Sequence, residues 1–193
     1  RLKTVDITTH ETRAELTVET LSTHFKCTVG CTHSVPFTYQ DIEEAVIAQK
    51  TIQIAPNESF TFQKFALYYN DLDHEERSML LESGYHFVQS TPLSDIYAMH
   101  KAALNGFNPF GQITIETTDG KKLNETIAYN LYQLYTAGAH SPRTNIPAKG
   151  LTGEGYEGHT FWDSEIYMLP FFMQADPKLA LHLLEYRFYQ LEA

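Results

Sequence analysis

The N-terminal third of the chain alternates apolar and polar side chains with the period of a β-strand. The alternation covers residues 15–21 and 51–55, and a similar aromatic-rich pattern covers residues 60–69. Such alternation is typical of antiparallel strands with one packed face and one face in water. Residues 1–70 are therefore predicted to contribute strands to a β-sandwich.

From Asp71 onwards the apolar positions recur every three or four residues, which indicates helices. The acidic run that starts at Asp71 predicts a helix N-terminus over residues 71–77. Pro92 ends this helix, and Ser94 and Asp95 predict the cap of a second one. A loop follows over residues 106–111.

The remaining sequence predicts three more helices. The first covers Leu123–Ala137 and ends at Gly138, and the second covers Asp163–Met173. The third begins at the Asp176-Pro177 pair, which supplies an N-cap and a proline at the first helical position. Because no residue that stops a helix follows, we expect it to continue to the last residue and the chain to be part of a longer polypeptide.

Composition excludes several classes of partner. Hydrophobic residues make up 42% of the 193 residues and charged residues 20%, as in a globular protein. The net charge is 14 − 24 = −10, which argues against binding to nucleic acid or to an anionic membrane surface. No apolar run reaches the roughly 20 residues of a membrane-spanning helix, so neither nucleic acid nor a membrane is an expected partner.

Cys27 and Cys31 are the two cysteines of the chain. Two thiols suit a reducing compartment, and together with the lack of a signal peptide they favour a cytoplasmic location. A zinc site would need His24 and His33 as further ligands, but a spacing of four residues on a strand separates the two thiols too far. The sequence predicts no metal site, and small residues of a strand are the favoured interpretation.

A glycine-rich segment precedes the only tryptophan. Four glycines lie between residues 150 and 158, but neither a phosphate-binding loop motif nor a dinucleotide-binding motif is present. Trp162 and Asp163 follow, and this pair suits a sugar: an indole packs on the apolar face of a pyranose and a carboxylate accepts hydrogen bonds from its hydroxyls. A structural alternative ranks first on physical grounds, with Asp163 as helix cap and Trp162 as its hydrophobic staple. For the three nearby glutamates, a solvated or capping role is favoured over a catalytic one: Glu154, Glu157 and Glu165.

Residues 150–172, from the glycine-rich segment through Trp162, resemble the motif of glycoside hydrolase family 65. This family contains inverting phosphorylases of maltose, trehalose, kojibiose, nigerose and trehalose 6-phosphate, together with a few hydrolases. The resemblance is close over residues 123–193 and looser upstream.

The resemblance implies a fold with an N-terminal β-sandwich, a helical linker, an (α/α)₆ barrel and a small C-terminal β domain. The chain would then be an α+β fragment with three parts. Residues 1–70 would end the sandwich, residues 71–122 would form linker helices and a loop, and residues 123–193 would begin the catalytic barrel.

The resemblance also implies the chemistry. Phe161, Trp162 and Asp163 match the family segment that binds the glucosyl unit, while the general-acid glutamate is expected beyond Ala193. The expected reaction splits an α-linked glucose disaccharide with phosphate as co-substrate, yields β-glucose 1-phosphate, and needs no metal or organic cofactor. Hydrolysis of the same disaccharides and non-catalytic sugar binding are the alternatives, and a homodimer is left open.

Overall fold

The computed structural model describes residues 2–71, 77–107, 114–138, 140–151, 153 and 155–191. They form two compact units that divide between Ile96 and Tyr97. Strands come first and helices follow, as the change of sequence period near Asp71 predicted. The domain boundaries after residues 70 and 122 stay predictions, and so does the barrel.

The first unit contains a four-stranded antiparallel sheet and a separate two-stranded hairpin. In the sheet the strands lie in the order β1, β2, β3, β6, and the hairpin joins β4 to β5. Their bounds are β1 Leu2–Thr9, β2 Arg13–Thr20, β3 Lys26–His33, β4 Thr38–Ile42, β5 Ala45–Gln49 and β6 Lys64–Asn70.

One strand prediction was wrong and another was too long. Residues 51–55 alternate in sequence but form no strand, and the strand predicted over residues 60–69 begins only at Lys64. The side chains of residues 51–55 are exposed. Alternation alone does not make a strand, because the backbone also needs a neighbour for its hydrogen bonds.

The more deeply buried face of the sheet carries polar side chains. Thr17 of β2 and Thr28 of β3 are each 1% exposed, and their hydroxyl oxygens lie 2.9 Å apart. Leu16 and Val18 point to the opposite face and are only half-buried. The helix that follows the sheet explains this preference, because it covers the threonine face.

This helix, α1, spans Arg77–Ser90 and packs on the sheet through Leu81 and Tyr85, which contact Tyr69 of β6. The predicted helix start falls largely on residues 72–76, which lie outside the described residues. The next helix, α2, spans Leu93–Phe107. It begins one residue before Ser94, so Ser94 lies inside the helix and is not the cap that the sequence predicted.

The second unit contains the last three α-helices: α3 Gly120–Ala137, α4 Leu169–Ala175 and α5 Pro177–Tyr189. Its core is formed by side chains from all three and from the loop after α3, namely Ala137, Ile146, Phe172, Leu179, Ala180 and Leu183. None of the helices among the described residues has the length and apolarity needed to cross a membrane.

The ends of these helices confirm two local predictions and correct a third. Gly138 ends α3, and the side chain of Asp176 accepts hydrogen bonds from the backbone N–H groups of Lys178 and Leu179 at the start of α5. However, α5 ends at Tyr189 instead of continuing to the last residue.

Candidate functional site

The glycine-rich segment folds back on itself through left-handed backbone conformations. Gly155 has a φ of 117° and Gly158 a φ of 79°, values that side chains with a Cβ rarely adopt. A short 3₁₀ helix, Tyr156–Gly158, lies between them. The glycines therefore provide the tight curvature predicted from the sequence, and the turn leads the chain directly into Phe161.

Trp162 and Asp163 lie at the start of a π-helical turn, Ser164–Met168, that runs into α4. The backbone N–H of Leu169 donates to the carbonyl of Ser164, five residues back, which widens the turn. Single π-helical turns of this kind occur frequently at functional sites. The helix predicted over residues 163–173 is therefore present in two parts.

The side chains of Trp162 and Asp163 point into solvent. The indole of Trp162 is 68% exposed, and the side chain of Asp163 is also exposed. Asp163 accepts no capping hydrogen bond from the turn that follows, so in the part of the chain that the structure describes it does not act as a helix cap. Within the same described residues, an indole this exposed does not staple the turn either.

Phe161 is held more firmly than its two neighbours. Its ring meets the edge of the Tyr156 ring with centroids 5.2 Å apart, and it is 40% exposed. The Nδ1 of His159 donates to the Tyr156 carbonyl at 2.7 Å, which supports the turn that carries this aromatic pair. Phe161 therefore belongs to the framework of the site as well as to its surface.

A second group of contacts ties the π-helical turn to the loop after α3. Ser164 is 2% exposed, and its hydroxyl donates to the Ile146 carbonyl at 3.1 Å. The side-chain amide of Asn145 donates to Glu165 at 3.2 Å and accepts from the Ile146 N–H at 2.7 Å. Ile146 itself is in the core, so these bonds anchor the turn to the packed interior of the unit.

Glu165 forms an ion pair with Arg187 of α5, and its predicted role as a solvated or capping residue was wrong. Arg187 donates from Nε at 2.8 Å and from one terminal nitrogen at 3.1 Å, so both carboxylate oxygens are engaged. Burial raises the pKa of Glu165, but the hydrogen bonds from Arg187 and Asn145 outweigh this, and the pKa is lowered overall. Glu165 is therefore a carboxylate at neutral pH.

The sequence predicted Phe161, Trp162 and Asp163 as site residues, and that stays a prediction; it did not point to the residues that hold them. Arg187 and Asn145 lie in separate segments, and no local pattern connects them with the motif. Glu154 and the side chain of Glu157 lie outside the described part of the chain.

Cys27 and Cys31 are free thiols, half-buried on the same face of β3. Burial raises the pKa of Cys31, although the charge of Lys64 opposes this. Among the described residues, no three histidine, cysteine, aspartate or glutamate side chains gather as a metal site would require.

Comparison with known proteins relates this segment to one enzyme family. Residues 128–193 match the model of the glycosyl hydrolase family 65 central catalytic domain. The chain is 32% identical over 165 residues to an α,α-trehalose phosphorylase of Geobacillus stearothermophilus, covering 84% of this chain and 21% of that protein. It is 31% identical over 171 residues to the kojibiose phosphorylase of Escherichia coli K12, and the match covers 86% of this chain and 22% of that protein.

A solved structure shows the same arrangement of strands followed by helices. It belongs to a protein from the human microbiome assigned as a kojibiose phosphorylase, with a TM-score of 0.85 and 25% identity over 99% of this chain and 26% of that one. The chain spans about a fifth of the length of the curated relatives just described. The resemblance carried by the glycine-rich motif is confirmed, and through residues 128–193 the chain belongs to glycosyl hydrolase family 65.

Proposed function

We propose that the protein containing this chain is an inverting phosphorylase of an α-linked glucose disaccharide. The observation that carries the proposal is the Trp162–Asp163 pair on an anchored turn: within the part of the chain that the structure describes, the indole is exposed and the carboxylate makes no helix cap. The relatives support the reaction type, since trehalose, kojibiose, nigerose and maltose phosphorylases are all among them.

In the proposed reaction, phosphate attacks the anomeric carbon from the face opposite the glycosidic oxygen. A general-acid glutamate, expected beyond Ala193, protonates that oxygen as its bond to the anomeric carbon breaks. The products are β-glucose 1-phosphate and the released sugar. Phosphate is the nucleophile, so the second carboxylate that activates water in an inverting hydrolase is not needed.

Trp162 and Asp163 are proposed to bind the glucosyl unit in this reaction, with Phe161 supporting them. The indole packs against the ring, and the carboxylate accepts hydrogen bonds from ring hydroxyls. These bonds hold the ring as it flattens towards an oxocarbenium-like transition state, so they contribute to turnover as well as to binding.

The proposal further includes a cytoplasmic location and no metal or organic cofactor, with a homodimer left open. The two free thiols support the location, because structural disulfides are rare in the cytoplasm. Which disaccharide is used depends on loops expected after Ala193, so the proposal names only the class of substrate.

The test uses the complete reading frame and measures glucose 1-phosphate and free glucose from a set of α-linked glucose disaccharides, with and without phosphate. Phosphate-dependent formation of glucose 1-phosphate is expected. Release of free glucose without phosphate would instead identify a hydrolase. A reading frame without a helical continuation and a general-acid glutamate would favour non-catalytic sugar binding.

Asp163→Ala tests the assignment of the site. A hydrogen bond to a charged group contributes roughly 1.5–3 kcal/mol, so kcat/KM should fall at least about tenfold. Stability should be unchanged, because the side chain of Asp163 makes no cap. Asp176→Ala is the matched control: it removes a cap that does exist, so it should lower stability and leave kcat/KM unchanged. An Asp163→Ala enzyme with wild-type kcat/KM would contradict the assignment.

A further inference from the structure

The guanidinium group of Arg187 in α5 donates hydrogen bonds to three residues of the second unit: Phe161, Glu165 and Gln190. It binds both carboxylate oxygens of Glu165 in the π-helical turn. One of its terminal nitrogens also donates to the Phe161 carbonyl at 3.0 Å, and the other donates to Gln190 at 3.3 Å near the end of α5. The group therefore joins α5 to the turn that carries the sugar-binding segment.

The contact with the Phe161 carbonyl reaches the backbone of the site itself. That carbonyl also accepts the N–H of Ser164 at 3.3 Å, and the next carbonyl, of Trp162, accepts the N–H groups of Glu165 and Ile166 at 3.1 and 3.0 Å. The carbonyls of both peptides that flank the Cα of Trp162 are thus engaged, the first by Arg187 and Ser164 and the second by the following turn. The orientation of these two peptides determines the direction in which the indole leaves the backbone.

The ion pair is partly shielded from water. The side chain of Arg187 is 33% exposed and that of Glu165 is 25% exposed. Two parallel hydrogen bonds to one carboxylate give an arginine–carboxylate pair a fixed geometry, which a lysine cannot reproduce. The pair therefore acts as a rigid support, in contrast to a mobile pair of exposed charges.

We propose that Arg187 positions Trp162 and Asp163 for the glucosyl unit, an inference that rests on the proposed function above. Arg187 itself does not touch the sugar in this proposal. It is a positioning residue, which acts through the Phe161 carbonyl and through Glu165.

Three variants of the pair test the inference in the complete enzyme. Arg187→Met removes the charge and every donor, Arg187→Lys keeps the charge without the planar fork, and Glu165→Gln keeps the side-chain shape without the charge. A misplacement of about 1 Å costs up to about a hundredfold in rate, so we expect Arg187→Met to lower kcat about tenfold to hundredfold, with a smaller change in KM. The kcat of Arg187→Lys should lie between those of the wild type and Arg187→Met.

Arg13 and Glu82 provide the matched control. They form another arginine–glutamate pair, between β2 and α1 of the first unit. Arg13→Lys should lower thermal stability and leave kcat and KM unchanged. If Arg187→Lys behaves like this control, with reduced stability and unchanged kinetics, Arg187 is only a structural residue and the inference is wrong.

A second measurement does not depend on activity. Trp162 is the only tryptophan of the 193 residues, so in a complete enzyme whose tryptophans outside these residues are replaced by phenylalanine, fluorescence anisotropy and acrylamide quenching report directly on its indole. Arg187→Lys should lower the anisotropy and change the quenching, whereas Arg13→Lys should change neither. Unchanged fluorescence in Arg187→Lys would overturn the inference. Absence of phosphate-dependent cleavage by the unaltered enzyme would instead refute the proposed function.

Discussion

Replacing Gly30 by alanine tests how closely α1 packs on the sheet. Gly30 lies in β3, directly beneath the ring of Tyr85. A Cβ built on Gly30 would lie 2.9 Å from Cζ of Tyr85 and still closer to its hydroxyl oxygen, whereas real Cβ atoms essentially never approach within 3.0 Å. Either the tyrosine or the strand must therefore move.

Tyr85 has little freedom to move. It is 1% exposed, its hydroxyl donates to the Ala14 carbonyl at 3.3 Å, and the guanidinium carbon of Arg13 lies 4.5 Å from the ring centroid. Adding one methyl group to a well-packed core costs typically about 1–3 kcal/mol. For a chain of 150–250 residues, each kcal/mol lowers Tm by about 2–4 °C.

Urea and thermal unfolding followed by circular dichroism measure this loss. Gly106→Ala in α2 is the matched control, because a Cβ at Gly106 meets no atom within 4 Å. Alanine in a helix is favoured over glycine by up to about 1 kcal/mol, so this control should be as stable as the wild type or more stable. A Gly30→Ala protein with wild-type stability would refute the packing of Tyr85 on β3.

Three further predictions concern a helix cap and two titrations. Asp176→Ala should lower the free energy of unfolding by about 0.5–2 kcal/mol, whereas Asp163→Ala should leave it unchanged. If urea unfolding shows the same loss of stability for both variants, the capping geometry is contradicted. Burial raises the pKa of Glu165, but hydrogen bonds lower it by more, so the pKa in the folded protein lies below the unfolded value of about 4.3. The contribution of Glu165 to stability is therefore complete above a pH of about 4.3 and is lost as the pH falls through the folded pKa. In a series of unfolding measurements at decreasing pH, Glu165→Gln should lack this part of the pH dependence of stability. Burial, reinforced by the charge of Glu15, raises the pKa of Tyr85, so stability should fall as the pH rises above about 10, and Tyr85→Phe should reduce that fall.

Local signals in the sequence predicted the order and the type of most elements. The end of α3 at Gly138 is confirmed, but the φ of −58° is not that of a left-handed glycine cap, and a Cβ at this position would meet the side chain of Leu179 in α5. The Asp-Pro start at Asp176 is confirmed as well, because it depends on a few neighbouring residues only. The strand predicted over residues 51–55 failed for the opposite reason. Its existence depended on a partner strand, which a pattern along one segment does not encode.

The covered face of the sheet depended on tertiary structure in the same way. By hydrophobicity, Leu16 and Val18 should lie on the more buried side of β2, yet α1 covers the side with Thr17. Two threonines tolerate this position because their hydroxyls bond to each other, which removes most of the cost of burying a polar group. No sequence period distinguishes a hydroxyl that will find such a partner from one that will stay in water.

In the candidate site, too, the features that depend on adjacent residues could be predicted, whereas those that depend on tertiary contacts could not. The chemistry of Trp162 and Asp163 is readable from adjacent residues, since an indole and a carboxylate side by side suit a sugar regardless of the fold. The ion pair that supports them could not be predicted, because Glu165 and Arg187 are 22 residues apart and each alone resembles an ordinary surface charge. One signal was available: Arg187 is a cation within an aromatic run, Tyr186 to Tyr189, near the end of a helix. A charge in such surroundings needs a partner when it is partly buried, so a search for carboxylates within reach of Arg187 would have led to Glu165 and hence to the backbone of the segment proposed to bind the sugar.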